Sequence, residues 1–418
     1  MQRQYYEWGN EIFEGYGVHC DATIHLGKET DPIRLAQAVA CVIKAHPALD
    51  ARLMETEDGT LRWFCEKDGL KEYGITPEYV TRTAYSELQG KLRKSMNHPG
   101  ERMFNIRIFV ITEEDGTESC DLYFDFLHSI ADGVTIDIFL EDVNAAYEGR
   151  EVEKETFSVL DYYDQIEKEV STDRYRSEIE WNRHFAASFT DRIGELEGDL
   201  SCGDENETLY IFEKLDIAPE IVENYAAACK VTVGSLLSAA YGLMQASYNG
   251  EHSAVTLTIY NGRDDARYAR IMGAIYRHLP LCVRYDDDMT ACDFVRATQE
   301  NILKCRAHLL YEPDPVPMIT AFSYQGEDLP EPFPFCSGLA SYEETEDYEE
   351  EIFDFFVRKR QDGFYVELTY NTLAYSKTFI DRFIKDYTMV LRSLTTGVRP
   401  ADIRISNCAF DKSSQQKG

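Results

Sequence analysis

The sequence predicts a mixed α/β fold built from two lobes, on three observations. Strand-like and helix-like segments alternate along all 418 residues. The second half repeats the order of segment types seen in the first. A polar, glycine-containing stretch over residues 192–206 separates the halves. The length is in keeping with two or three domains. The division this implies is an N-terminal lobe over residues 1–170, a crossing helix and linker over 171–206, and a C-terminal lobe over 207–418.

In chain order, an extended segment near 20–28 leads into an amphipathic helix near 32–46. A hairpin follows, turning at Glu57-Asp58-Gly59. A helix is expected over 77–96. Strands near 104–112 and 119–127 flank a Glu114-Asp115-Gly116 turn. Helices near 158–168 and 173–189 close the first half. The second half reads as a strand near 207–215, helices near 218–248, strands near 253–260 and 279–285, and a long helix near 290–309. The last helix carries Phe379, Phe383, Tyr387, Val390, Leu391 and Leu394 at helical spacing, an apolar stripe that marks core.

One place joins this pattern to reactive chemistry. Leu127-His128-Ser129-Ile130-Ala131-Asp132-Gly133 follows the bulky strand Leu122–Leu127 and precedes a helix marked by Ile136, Phe139, Leu140, Val143 and Tyr147. A histidine at a strand end can be held with one ring nitrogen toward a cavity. Its unperturbed pKa lies nearest neutrality, so it can take and return a proton there. Asp132 can cap the helix, and Gly133 lets a substrate approach closely. The same residues also fit a plainer arrangement, a capping aspartate beside a packed histidine.

The motif resembles the HHxxxDG signature of the chloramphenicol-acetyltransferase-like acyltransferases, and most closely that of the condensation domains of nonribosomal peptide synthetases. The catalytic histidine of that signature falls on His128, its aspartate on Asp132 and its glycine on Gly133; Leu127 stands where the first histidine would be. Further resemblances follow in order. They are Ile33–Val39 with His46-Pro47-Ala48-Leu49, then Asn261-Gly262-Arg263, Met272-Gly273, Leu279–Val283, Phe322–Gly326 and Asp362–Asn371. Two departures stand out. Asp50 occupies the place of an arginine that in some relatives pairs with the motif aspartate, so Arg52 or Arg263 is left to orient Asp132. No DFGWG sequence is present.

The resemblance implies two chloramphenicol-acetyltransferase-like lobes forming a V around a central tunnel. It implies acyl transfer from a thioester to an amine or alcohol, with His128 as base and Asp132 holding the loop. It also implies that Asn261, Arg263, Tyr324 and Gln325 line the substrate path. No cofactor is implied beyond the acyl thioester itself, carried on coenzyme A or on the phosphopantetheine of a carrier protein. With no adenylation or carrier segment read in the chain, the resemblance implies a free-standing enzyme. A binding or scaffolding relative without catalysis is the alternative, which Leu127 keeps open.

Composition narrows the remaining classes. A net charge of −33 opposes nucleic acid and anionic membrane surfaces. No apolar run reaches the length of a membrane span. The N-terminus has no apolar signal core. Eleven cysteines show no CxxC pair or metal-like spacing, which predicts a reduced, cytoplasmic chain without a metal. Cys20, Cys41, Cys65 and Cys282 are expected in the core. Two arginine clusters could meet an anionic donor: Arg174, Arg176 and Arg183 with His184, and Arg263, Arg267, Arg270 and Arg277. The acidic run Glu343–Glu351 reads as a solvated loop.

Overall fold

The computed structural model describes residues 18–57, 59–65, 74–199, 207–308, 320–327, 336–340 and 353–405. The chain divides into two compact units. The first takes residues up to Lys168 together with Asn261–Tyr276 and Leu329–Glu343; the second takes the remainder. The two later segments of the first unit fall in the half that the sequence assigns to the C-terminal lobe. The acidic run 343–351 and residues 200–206 of the expected linker lie outside the described residues. Residues 192–199 are packed rather than loose, with Leu196 buried and the Glu195 carbonyl accepting from Gln245 and Asn249.

The first unit is built on a five-stranded sheet. Its strands are β1 (His19–Leu26), β4 (Glu78–Thr81), β5 (Phe104–Thr112), β6 (Glu118–Leu127) and β11 (Cys336–Ala340), in the order β11-β1-β6-β5-β4. All neighbours are antiparallel except β4 beside β5. A short hairpin, β2 (Arg52–Glu55) with β3 (Leu61–Phe64), pairs separately. One sheet face presents Ala22, Ile24, Ile106, Ile108, Leu122, Phe124 and Phe126 to helices α1 (Pro32–Ala45) and α3 (Gly133–Tyr147). Helix α1 starts where Asp31 accepts from the Ile33 and Arg34 N–H groups and Pro32 presets the first turn.

The expected helix over 77–96 is shorter than its pattern. Residues 78–81 form β4, and only Arg82–Gln89 form helix α2. Tyr79, Val80 and Thr81 are aromatic or β-branched and suit a strand. Thr81 then caps the helix through its hydroxyl, which accepts from the Ala84 N–H.

The second unit holds a six-stranded sheet in the order β7-β13-β12-β10-β8-β9. These strands are β7 (Thr208–Lys214), β8 (Ser253–Tyr260), β9 (Arg277–Arg284), β10 (Thr320–Glu327), β12 (Phe353–Arg360) and β13 (Gly363–Asn371). Strand β10 runs parallel to both β8 and β12, and the other pairs are antiparallel. Helices α4 (Val159–Val170), α5 (Asp173–Ala187), α6 (Pro219–Cys229), α7 (Val233–Tyr248), α8 (Ala291–Ala307) and α9 (Lys377–Thr395) complete the described set. The α9 stripe lies in the second unit's core, every one of its six apolar residues buried. Each such side chain contributes about 1.5–3 kcal/mol through burial.

Two expectations about cysteine change. Cys229 at the end of α6 and Cys292 in the first turn of α8 form a disulfide, with Cα atoms 5.5 Å apart. Proximity across two helices is invisible to a search for close sequence spacing. Cys41 is exposed, Cys20 and Cys65 are partly buried, and Cys282 is in the core as expected. No single helix among the described residues is long and apolar enough to cross a membrane.

Candidate active site

The strand–turn–helix that carries His128 is fixed bond by bond. The Leu127 N–H donates to the Met103 carbonyl at 2.9 Å, and the His128 N–H to the Val18 carbonyl at 2.7 Å. The Ile130 and Ala131 N–H groups then turn back onto the Leu127 carbonyl at 2.9 and 3.1 Å. Leu127 itself is buried in the apolar core beneath the sheet. Four backbone donors of this segment, those of Leu127, His128, Ile130 and Ala131, are therefore occupied.

His128 is partly buried, with its ring 5.3 Å from the ring of Tyr276 and tilted against it. Its Nδ1 is sealed from solvent, so Nε2 is the nitrogen able to meet a substrate. Burial holds the imidazole below its ordinary 6.5, and this outweighs the opposing pull of the Asp132 carboxylate and of the backbone carbonyls of His128 and Ala131. At neutral pH the ring is therefore neutral, the form that can accept a proton.

Asp132 is turned away from that chemistry. It caps α3 in a capping box: its Oδ1 accepts from the Thr135 N–H at 2.8 Å, and its own N–H donates to Thr135 Oγ1 at 3.2 Å. Its carboxylate also receives both terminal nitrogens of Arg263 at 2.9 Å and the Ile275 N–H at 3.2 Å. The side chains of Arg263 and Asp132 are 4% and 5% exposed, a closed bidentate pair.

Arg263 thus settles which arginine orients Asp132. Arg52 instead pairs weakly with Asp50, whose main partner is Arg102 at 2.6 Å. Arg263 also ties the surrounding turn together. Its Nη2 also donates to the Ile271 and Gly273 carbonyls at 2.9 and 3.1 Å, and its Nη1 to the Asn261 carbonyl at 3.0 Å. Asn261 is exposed and shapes the same turn, its Oδ1 accepting from the Arg263 N–H.

The glycines of this region have separate reasons. Gly262 adopts φ +72° against the Ile275 carbonyl, and a Cβ on Gly273 would overlap Val159. Gly133 meets nothing: a Cβ there would project into open space.

His128, Asp132, Gly133, Asn261 and Arg263 are brought together within the first unit. Tyr324 and Gln325 belong to β10 of the second unit. Tyr324 is partly buried, its ring over Gly234 and edge-on to Phe364, whereas Gln325 is exposed. The residues the sequence did not single out are Val18, Met103, Thr135, Ile275 and Tyr276. Only Thr135 left a local signal, three residues after a capping aspartate. Among the described residues no group of three or more His, Cys, Asp or Glu side chains could hold a metal ion.

The second arginine cluster is largely engaged by carboxylates. Arg263 is spent on Asp132, Arg267 pairs with Asp265, and Arg270 reaches Glu141 and Asp142. Arg277 is buried, and Arg176 pairs with Asp173.

Comparison with known proteins gives the family and the fold. The condensation-domain family matches residues 1–400. Tyrocidine synthase 3 of Brevibacillus parabrevis is 22% identical over 92% of this chain, which spans only 6% of that synthase's length. The first condensation domain of the calcium-dependent antibiotic synthetase, solved with a substrate analogue, shares the fold with a TM-score of 0.72. It is 13% identical, with 97% of this chain and 98% of that one covered. The X-domain from teicoplanin biosynthesis, solved in complex with OxyB, has a TM-score of 0.73 at 18% identity, covering 97% and 95% of the two chains. The two units are chloramphenicol-acetyltransferase-like lobes, and the chain belongs to the condensation-domain family.

Proposed function

We propose that this chain transfers an acyl group from a thioester to an amine or alcohol, with His128 as general base. One arrangement carries the reading: His128 is held by backbone bonds at a strand end, five residues before Gly133, where a Cβ would meet open space, and burial pushes its imidazole below 6.5. The acceptor N–H or O–H gives its proton to His128 Nε2 as the nucleophile attacks the thioester carbonyl. The carbon–sulfur bond breaks, and the proton passes to the departing thiolate. A positioned base of this kind is worth about 10²–10⁴-fold in rate. Asp132 and Arg263 act as a brace, not in the reaction.

A phosphopantetheine thioester delivered on a carrier protein is the favoured donor. The synthetase relatives support it, and so does the engagement of Arg263, Arg267 and Arg270 by carboxylates, which leaves them poorly placed for the extra phosphates of coenzyme A. The experiment is thiol release from a panel of acyl thioesters, on coenzyme A and on carrier protein, with pooled amines and alcohols. Release that needs both acceptor and carrier supports the reading; release from coenzyme A thioesters alone refutes the donor assignment.

A second reading is a recruitment module without catalysis. It is favoured by the likeness to an X-domain solved with a bound partner. It predicts no acceptor-dependent release from any thioester, and stable capture of a partner that His128→Ala leaves unchanged.

A further inference from the structure

We infer that His19 and Asp125 form a positioning pair for His128, acting through the Val18 carbonyl; this rests on the reading of His128 as the base. The His128 N–H is held by Val18, the residue immediately before β1. A strand's first residues fray unless something pins them. Here His19 does so: it stands opposite Leu127 in the β1–β6 register, and its Nδ1 lies 2.8 Å from Asp125 Oδ1. Both side chains are buried, 2% and 0% exposed. Leu127 is apolar and committed to the core, so it offers no polar tie at this point.

The arrangement is costly enough to call for a role. Asp21 and Asp125 face each other across the two strands, and like charges in that relation repel. Each carboxylate has its own answer. Arg93 donates to Asp21 at 2.7 Å and His19 serves Asp125, while the Tyr123 hydroxyl lies between them, 3.2 Å from Asp125 and 3.5 Å from Asp21. The outcome is a strand start tied down one residue from the carbonyl that accepts from the His128 N–H. A misplacement of about 1 Å at a reacting group can cost on the order of 10²-fold in rate.

The test compares His19→Gln, whose amide can still donate to Asp125, with His19→Met, which cannot. The first readout needs no substrate: titration of the His128 ring by NMR in ¹⁵N-histidine-labelled protein, assigned by its loss in His128→Ala. The wild type and His19→Gln are expected to share one midpoint, with His19→Met moved toward 6.5 as the ring gains solvent. The second readout is kcat, expected to fall about 10–100-fold in His19→Met with KM within about twofold, and to be restored in His19→Gln. If His19→Met does not fold with Asp125 left unpaired, His19→Met/Asp125→Leu replaces both partners by apolar groups and is read the same way. An unmoved His128 midpoint in a folded Met variant overturns the positioning role. Undiminished turnover in His128→Ala would instead overturn the reading of the base.

Discussion

At the scale of single residues, Asp132, Arg263 and Gly133 separate bracing from chemistry. Arg263→Met leaves Asp132 buried without its cation and is expected to cost about 3–5 kcal/mol in urea unfolding. Loss of the cap alone would cost about 1 kcal/mol. The larger figure is mainly the penalty of leaving the Asp132 carboxylate buried and unpaired, not the net worth of the pair. Gly133→Ala should behave in the opposite sense. Open space surrounds the added methyl, and alanine is the better helix former by about 1 kcal/mol, so stability should hold or rise. If substrate passes over Gly133, turnover should nevertheless fall; a stabilised variant with wild-type kcat and KM would remove Gly133 from the substrate path. His128, Asp132 and Gly133 were legible in the sequence because they are local: a strand end, a cap and a glycine lie within six residues. Arg263 was one of two candidates because its distance of 131 residues from Asp132 carries no spacing rule.

At the scale of elements, the loop 271–275 carries the site's second wall. Its carbonyls hold Arg263, its Ile275 N–H holds Asp132, and its Met272 N–H meets the carboxyl of Glu155 at 3.4 Å. Burial pushes Glu155 up from 4.5 to about 8. The unfolded chain releases that proton near 4.5 and the folded chain keeps it to about 8, so the folded state binds the extra proton between those values. Stability supplied by the protonated form is accordingly lost as pH rises through that window. Glu155→Gln should be near neutral in acid and stabilise by about 1–3 kcal/mol at the upper end, measured by thermal unfolding across pH. A variant that tracks the wild type at every pH would show Glu155 ionised in the fold. Strands β5 and β8 were readable as strand-like segments, β13 only through the resemblance carried by Asp362–Asn371, and α9 from its stripe. Strand β4 was not, because four residues of strand adjoining a short helix blend into one helical pattern. The Cys229–Cys292 bond was hidden for the same reason as Arg263: partners meet only after the chain has folded.

For the whole molecule, a charge of −33 sets the approach of any partner. Carrier proteins are usually acidic, so the long-range fields oppose docking, and salt screens such repulsion within about 10 Å at 0.1 M. KM for an acidic carrier should therefore fall as ionic strength rises. A KM that rises with salt would point to a local basic surface that overrides the overall charge. The two-lobe division was visible as a repeated order of segment types, whereas the return of residues 261–276 to the first unit was not. That return is what brings Arg263 to Asp132 and Tyr276 to His128. The most direct test of the whole account is the pH dependence of acceptor-dependent thiol release, wild type beside His128→Ala. The account predicts a rate that climbs with pH through a midpoint below 6.5, the sign expected of a base whose protonated form is disfavoured by burial. It also predicts a loss of about 10²-fold or more in the variant. An alanine variant that releases thiol at the wild-type rate would contradict it.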